Sequence, residues 1–223
     1  IHGIPGQTPE LLGADIATVL DLRPDHVSWY ELDVIEGTAL AARLAAAGGD
    51  PSAMPADPMD DVRAAGYRRI VRGLSRAGYD WYEVSNFALP GRKARHNVAV
   101  WRARPYLGLG PAAVSTVGAT RRTNAAGTAA WAAALAAGEA PPRVEEALDA
   151  ATRARERLFL AARCGERVPL AEVAAVIDQT AARTFAQAGL VSLHSGTIRV
   201  TRKGRHVADQ LCVRLFRDQR LRE

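Results

Sequence analysis

The chain has 223 residues, 48% hydrophobic and 24% charged, with a formal net charge of +5. That is the composition of a folded globular protein with room for one large domain and an appendage, and it excludes collagenous, low-complexity and disulfide-stapled classes. No run is long and apolar enough to span a membrane, and no charged-then-apolar leader opens the sequence, so a cytoplasmic protein is expected.

Residues 1–4 read as the end of a strand. Gly3-Ile4-Pro5-Gly6 follows as a sharp turn, having neither the lysine of a phosphate loop nor dinucleotide-binding spacing. Thr8 and Pro9 then open a helix, as cap and first-turn residue, with Leu11, Leu12, Ile16, Val19 and Leu20 as its apolar stripe. After Pro24, residues 26–35 are rich in β-branched and aromatic side chains without clean alternation, the pattern of a strand covered on both faces. Residues 40–58 form an alanine- and glycine-rich connection. Asp57-Pro58 starts a second helix with the stripe Tyr67, Ile70, Val71 and Leu74, closed by Gly78. Residues 81–87 are expected as a third strand. Strands joined by helical crossovers predict a parallel α/β sheet, with its functional loops at the strand C-terminal ends.

Between Val84 and Gly138 there are seven cations, Arg92, Lys93, Arg95, Arg102, Arg104, Arg121 and Arg122, and no Asp or Glu. Set beside aromatic pairs, a stretch of one sign points to a flat anionic ligand or a nucleic acid. His96 follows the densest part of this run and begins a short helix that Pro105 ends. From Thr128 the character changes: a short helix around Trp131 and Leu135, a Gly138 stop, then Pro141-Pro142, which sets a domain boundary. Beyond it come a long helix containing Leu148, Arg155, Leu158 and Phe159, and short helices over 169–176 and 180–188. A hairpin over 190–201 turns at His194-Ser195-Gly196, and a last helix spans 203–216. Helix, helix, hairpin, helix is a winged-helix-like order. This tail is basic: residues 152–223 hold 14 Lys and Arg against 7 Asp and Glu, whereas 1–151 hold 15 against 17. Such an excess is either a solvated surface or a contact for an acidic partner. Cys164 and Cys212 lie in this tail without a CxxC-type neighbour, and read as two reduced, buried thiols.

Several runs together carry a family signature: Tyr82-Glu83-Val84-Ser85-Asn86-Phe87-Ala88, the turn Pro90-Gly91, Arg95-His96-Asn97 followed by Trp101, Tyr106-Leu107-Gly108-Leu109-Gly110-Pro111, and the opening Ile1-His2-Gly3-Ile4-Pro5-Gly6-Gln7-Thr8. They resemble the heme-chaperone (HemW-type) branch of the oxygen-independent coproporphyrinogen III oxidase-like radical SAM proteins. The resemblance implies the second half of a radical SAM partial (β/α) barrel over residues 1–140 and a winged-helix-like α+β domain over 141–223. It implies heme binding and transfer of heme to client proteins. A [4Fe-4S] cluster and S-adenosylmethionine would be held by an N-terminal half whose CxxxCxxC motif this sequence lacks, so catalysis by this chain alone is not expected and no catalytic residue is assigned. An exposed strand edge at Ile1 implies self-association. Two other readings stand beside it: anaerobic oxidative decarboxylation of coproporphyrinogen III, and a winged-helix nucleic-acid binder using Arg199, Arg202, Lys203 and Arg205.

In the chaperone branch His-Asn-x-x-Tyr-Trp is associated with heme binding. His96, Asn97 and Trp101 match it, and Val100 replaces the tyrosine. The resemblance makes His96 the axial iron ligand, Asn97 its orienting neighbour, Trp101 an apolar plane, and Arg92, Lys93 and Arg95 partners for the propionates. On residues alone, His96 also reads as a capping or core histidine. His96 and Trp101, five apart, lie roughly 140° apart around a helix, so they do not clamp one ring face together. The family's Gly-Pro-Gly-Ala-His-Ser becomes Gly110-Pro111-Ala112-Ala113-Val114-Ser115, which loses a histidine. Asp33 and Val114 match positions near S-adenosylmethionine in the coproporphyrinogen-converting branch, with packing as their other reading. Glu31, Asp33 and Glu36 otherwise read as solvated rim charge.

Overall fold

Thr8 caps the first helix as its sequence predicts. Its side chain accepts from the Leu11 amide at 3.3 Å, Pro9 fills the first turn, and α1 runs Pro9–Leu22 with Leu12 and Ile16 buried. The chain then forms β1 (His26–Ser28), α2 (Ala39–Ala46), α3 (Pro58–Arg76), β2 (Asp80–Glu83) and β3 (Asn86–Ala88). The computed structural model describes residues 1–46 and 58–217. The expected helix start at Asp57 lies outside the described residues, and α2 occupies the beginning of what reads as a connection. Ile70, Val71 and Leu74 of α3 bury against Leu12 and Ile16 of α1 and against Val27, Trp29, Tyr79, Trp81 and Phe87, which make the core of this part of the chain.

Residues 81–87 do not form one strand. The chain reverses at Val84-Ser85, so β2 and β3 pair antiparallel, with β3 lying between β1 and β2. The reversal is held by its own side chains. Glu83, almost fully buried, accepts from the Ser85 amide at 2.8 Å and from Asn86 Nδ2 at 2.6 Å, and the Val84 carbonyl accepts from Trp81 Nε1 at 3.0 Å and from the Tyr67 hydroxyl. β1 and β2, on either side of β3, therefore run parallel to each other. The opening residues add a parallel bridge between His2 and Glu31, with His2 N donating to the Tyr30 carbonyl at 3.0 Å. The strand expected over 26–35 is thus a three-residue ladder followed by one bridge at Glu31.

The chain forms two compact units, Ile1–Lys93 and Ala94–Glu223. Residues 94–140 thereby fall in the same unit as the tail, whereas the sequence reading sets a boundary at Pro141. This second unit comprises α4 (Arg95–Trp101), β4 (Val114–Val117), β5 (Thr120–Asn124), α5 (Thr128–Ala136), β6 (Arg143–Ala147), α6 (Ala150–Cys164), β7 (Val168–Pro169), α7 (Leu170–Val173), α8 (Gln179–Gln187), β8 (Val191–His194), β9 (Thr197–Val200), α9 (Arg202–Arg205) and α10 (Ala208–Leu215). The antiparallel sheet β4-β5-β6 is new relative to the sequence reading. Its strands are polar, and cross-strand ion pairs such as Arg122 Nε to Glu145 Oε1 at 2.7 Å replace the apolar alternation by which strands are recognised.

Asp149 caps α6 by accepting from the Thr152 amide at 2.6 Å, which leaves Leu148 just outside the helix rather than in it. Asp178 caps α8 through the amides of Thr180 and Ala181. The hairpin β8-β9 turns at Ser195 and Gly196, both at positive φ (48° and 69°), the handedness a two-residue hairpin favours, and β7 adds a third strand. The last helix of the sequence reading is two, α9 and α10. Leu158, Ala161, Val173, Ile177, Ile198, Leu211 and Leu215 are among the buried residues that close this winged-helix-like arrangement around a core of its own. No helix among the described residues is long and apolar enough to cross a membrane.

Candidate functional site

The seven residues of α4 carry the motif His96, Asn97 and Trp101. Ala94 precedes the helix without a side-chain cap, and Arg102 ends it, followed by Ala103 at positive φ (54°). Arg102 Nε donates to Glu166 Oε1 at 2.7 Å, which ties the C-terminal end of α4 to the loop after α6. His96 is exposed, and Asn97 and Trp101 are half-buried. Successive positions lie about 100° apart around a helix, so the side chains of His96 and Asn97 leave α4 in different directions. The residue that shares a face with His96 is Val100, four positions on.

The cations before the helix have intramolecular partners. Lys93 Nζ lies 2.6 Å from Asp80 Oδ2 and 5.3 Å from the centre of the Tyr82 ring, and Arg92 Nε lies 3.6 Å from Asp25 Oδ1. Both contacts are exposed ion pairs within the first unit, of small energetic weight. Arg95 sits exposed on the first turn of α4. Farther along, Arg121 pairs with Glu156 at 2.5 Å and with Glu146 at 3.3 Å, and Arg122 with Glu145. Much of the unbalanced charge read between residues 84 and 138 is therefore matched by acids from elsewhere in the chain.

Of the positions assigned near S-adenosylmethionine, Asp33 is exposed in the first unit. Val114 begins β4 in the second, where its backbone passes so close to Gly108 that a side chain there would meet the Val114 carbonyl oxygen at 2.3 Å. Gly108 N also donates to Ser115 Oγ at 2.9 Å, so the Leu107-Gly108-Leu109 loop is fastened to β4. Cys164 is half-buried in α6, and burial pushes the Cys212 thiol of α10 up to about 12. Two cysteines, one held protonated, do not fit a cluster that needs several thiolates.

The second unit contains a cavity of about 490 Å3 that Val100 of α4 helps to line. Val100, Tyr106, Leu148, Phe159, Leu160 and Phe216 form its apolar wall, and Arg104, Arg153 and Arg155 contribute positive charge. Val100 and Tyr106 stand in runs of the family signature and Arg104 in the cation run; the other lining residues stand in no motif. Arg153, Arg155 and Phe159 read in the sequence simply as part of a long helix.

In the first unit a smaller cavity of about 310 Å3 borders His2, Gln7, Arg63, Arg69 and Arg72. His2, only 1% exposed, stacks on Tyr67 with ring centres 5.9 Å apart, and neither ring nitrogen meets a partner at hydrogen-bond geometry. Burial pulls its pKa below the ordinary histidine value, against the opposing effect of the Tyr30 carbonyl.

A family model described as the HemN C-terminal domain matches residues 148–207. The chain is 35% identical over 209 residues to the heme chaperone HemW of Mycobacterium tuberculosis, covering 94% of this chain and 52% of that protein. It is 33% identical over 111 residues to HemW of Escherichia coli, covering 49% of this chain and 26% of the relative. In three dimensions it resembles the coproporphyrinogen III oxidase HemN of Escherichia coli, a radical SAM enzyme, with a TM-score of 0.66 at 22% identity, over 93% of this chain and 51% of that one. At that identity the likeness establishes the fold: part of a radical SAM α/β architecture followed by a winged-helix-like domain. The chain spans about half the length of the HemW of Mycobacterium tuberculosis and of the HemN structure. The tail thus matches the HemN C-terminal domain, and along nearly its whole length the chain is similar to HemW heme chaperones, about half of whose length it spans.

Proposed function

We propose that this chain is the heme-handling portion of a cytoplasmic heme chaperone, which holds heme and passes it to client proteins. The observation that carries the reading is His96: exposed on a short helix, in the motif position, with an apolar residue one turn along its face. A neutral imidazole so placed offers a lone pair to heme iron without first leaving a packed core. Trp101, half-buried on another side of α4, supports the helix rather than covering the same ring face. Arg95 stands nearest in sequence to His96 as a propionate partner, and Arg92 joins it only by leaving Asp25. In this reading the [4Fe-4S] cluster and S-adenosylmethionine belong to the part of the full-length relatives outside the matched half, with Asp33 and Val114 on the cofactor side. Residues 1–140 serve as the barrel portion and 141–223 as the winged-helix-like domain.

The test is a hemin titration followed by absorbance. The wild-type chain should give a Soret band of an imidazole-ligated heme, and His96→Ala should shift that band and weaken binding. An unchanged spectrum and affinity in His96→Ala would return His96 to a structural role. The coproporphyrinogen-converting alternative is favoured by Val114, which stands where the chaperone motif has histidine. Anaerobic turnover of coproporphyrinogen by the full-length protein would establish it.

A further inference from the structure

Strand β6 forms an open edge of the sheet β4-β5-β6, and each of its five residues, Arg143 to Ala147, is exposed. The ladder with β5 fixes which of its backbone groups point outward. At the two ends the Ala125 N–H donates to the Pro142 carbonyl and the Leu148 N–H to the Ala119 carbonyl, each at 2.8 Å. With Arg122 opposite Glu145 and Thr123 opposite Val144, the even-numbered residues of β6 exchange bonds with β5, and Arg143, Glu145 and Ala147 turn their N–H and C=O groups to the open side. Among the described residues no strand pairs with that side. Native edges are guarded by lysines, by a proline within the strand or by a bulge. Here Pro141 and Pro142 stop short of the strand, the register with β5 is continuous, and the charges, Arg143 against Glu145 and Glu146, have both signs.

We propose that β6 pairs with β6 of a second copy of this chain, antiparallel and centred on Val144, so that one sheet continues across a two-fold axis. In that register Arg143 faces Glu145 of the second copy, Val144 faces Val144, and Glu145 faces Arg143. Outward-turned residues meet outward-turned residues, so both Arg143–Glu145 pairings exchange backbone hydrogen bonds. The Val144 pair falls at the non-bonded position, where side chains come closest. Val144 is 72% exposed in the middle of a charged strand, and this seam covers it. Centring the pair on Glu145 instead would set two carboxylates face to face, which like-charge repulsion disfavours. Glu145 Oε1 already lies 2.7 Å from Arg122 Nε and 3.1 Å from Arg143 Nε, in exposed pairs of small weight. The crossing pairs extend that network and select the register, while the backbone ladder and the Val144 contact supply the attraction. A five-residue seam is small, so the dimer is weak and concentration-dependent. It uses the second unit alone, apart from the strand edge at Ile1, and it does not depend on heme.

The experiment is analytical ultracentrifugation of the full chain without hemin, at concentrations from about 1 μM to about 1 mM, the range in which a small interface associates. Wild type should pass from monomer toward dimer. Arg143→Glu sets carboxylate against carboxylate at both pairings, and Glu145→Arg sets guanidinium against guanidinium; each alone should weaken dimerisation about tenfold or more. Mixed in equal amounts, the two variants regain an opposite-charge pair at both positions and should form a heterodimer about as readily as wild type dimerises. Arg183→Glu, an exposed charge reversal on α8, should dimerise like wild type. Circular dichroism and a melting curve confirm that each variant is folded. Should Glu145→Arg unfold against Arg122, Glu145→Pro removes an N–H that faces the open side and not β5, so it should abolish the dimer and keep the sheet. The proposal is overturned if wild type stays monomeric over this range, if the folded single variants dimerise like wild type, or if their mixture stays monomeric. Dimerisation that every β6 variant leaves unchanged would also overturn it and would move self-association to another surface, such as the edge at Ile1.

Discussion

Asn86 Nδ2 donates to Glu83 Oε2 at 2.6 Å inside the first unit, where Glu83 is 1% and Asn86 8% exposed. The same carboxylate oxygen accepts from the Ser85 amide, and Asn86 Oδ1 accepts from Ser28 Oγ at 2.8 Å, so one buried network joins the turn between β2 and β3 to β1. Removing the acceptor orphans the buried Asn86 amide, at a cost of about 1–3 kcal/mol, and takes a partner from the half-buried Ser85 N–H. Glu83→Ala should therefore lower the urea midpoint markedly, whereas Glu145→Ala, which breaks exposed pairs on β6, should move it little. Equal midpoints for the two variants would show that the network is not holding the turn.

That network also explains what the sequence conceals. The turn-prone pair Ser85-Asn86 sits inside a run of strand formers, and the reversal there depends on Glu83 and Trp81 reaching turn atoms from positions that look like strand interior. Helix ends, by contrast, announce themselves locally. Thr8-Pro9 and Gly78 stand where they are read because capping and positive φ are decided by one or two residues. The polar sheet β4-β5-β6 is invisible to hydrophobic periodicity, since Arg121 and Arg122 find their partners only after Glu145, Glu146 and Glu156 are brought in by later elements. At the candidate site the motif residues of α4 are legible, but the cavity is not. It needs Tyr106, Leu148, Phe159 and Phe216 from four separate stretches of the chain.

Acid should destabilise the first unit from the ordinary histidine range downward. Burial lowers the pKa of His2 and of His26, whose Nε2 lies 2.6 Å from the Tyr82 hydroxyl. Each folded-state value thus lies below the unfolded value, so the unfolded chain binds protons first. Stability is fully present above about pH 6.5 and declines as pH falls through and below it. Melting curves between about pH 7.5 and about pH 5, on either side of that value, should show this decline, and His2→Phe should flatten it. A pH-independent melting point for wild type over that interval would contradict the assignment.

Gly108 is required for close approach rather than for left-handed backbone. A methyl group there meets the Val114 oxygen at 2.3 Å and its carbonyl carbon and nitrogen at 2.6 Å, and backbone atoms cannot swing aside as a side-chain tip does. Gly108→Ala should push the 107–110 loop off β4 and destabilise by about 1–3 kcal/mol, the range of overpacking. Gly127→Ala, whose added carbon meets only the Ala130 methyl at 3.9 Å, should be far milder. Hydrogen exchange at the Gly108 amide, which donates to Ser115 Oγ, reads the same displacement locally.

Arg92 and Arg95 look alike in the sequence, three residues apart in one basic run, yet they should behave differently toward hemin. The Arg92 guanidinium already faces Asp25 at 3.6 Å, so recruiting it to a propionate exchanges one exposed pair for another with little net gain. Arg95, on the first turn of α4 beside His96, has no such exchange to make through Asp25. An exposed arginine–propionate pair contributes about 0.2–1 kcal/mol, so Arg95→Ala should weaken hemin binding by roughly 1.5- to 5-fold, and Arg92→Ala by less. Raising the salt concentration should shrink the Arg95 effect, because the Debye length falls from about 10 Å at 0.1 M to about 3 Å at 1 M. The effect of His96→Ala should survive the same change, since an iron–imidazole bond is not a screened ion pair. Titrations of the three variants and wild type at both salt concentrations decide the matter: a larger loss for Arg92→Ala than for Arg95→Ala would mean that Asp25 releases its partner to the ligand and that the basic run acts as one surface.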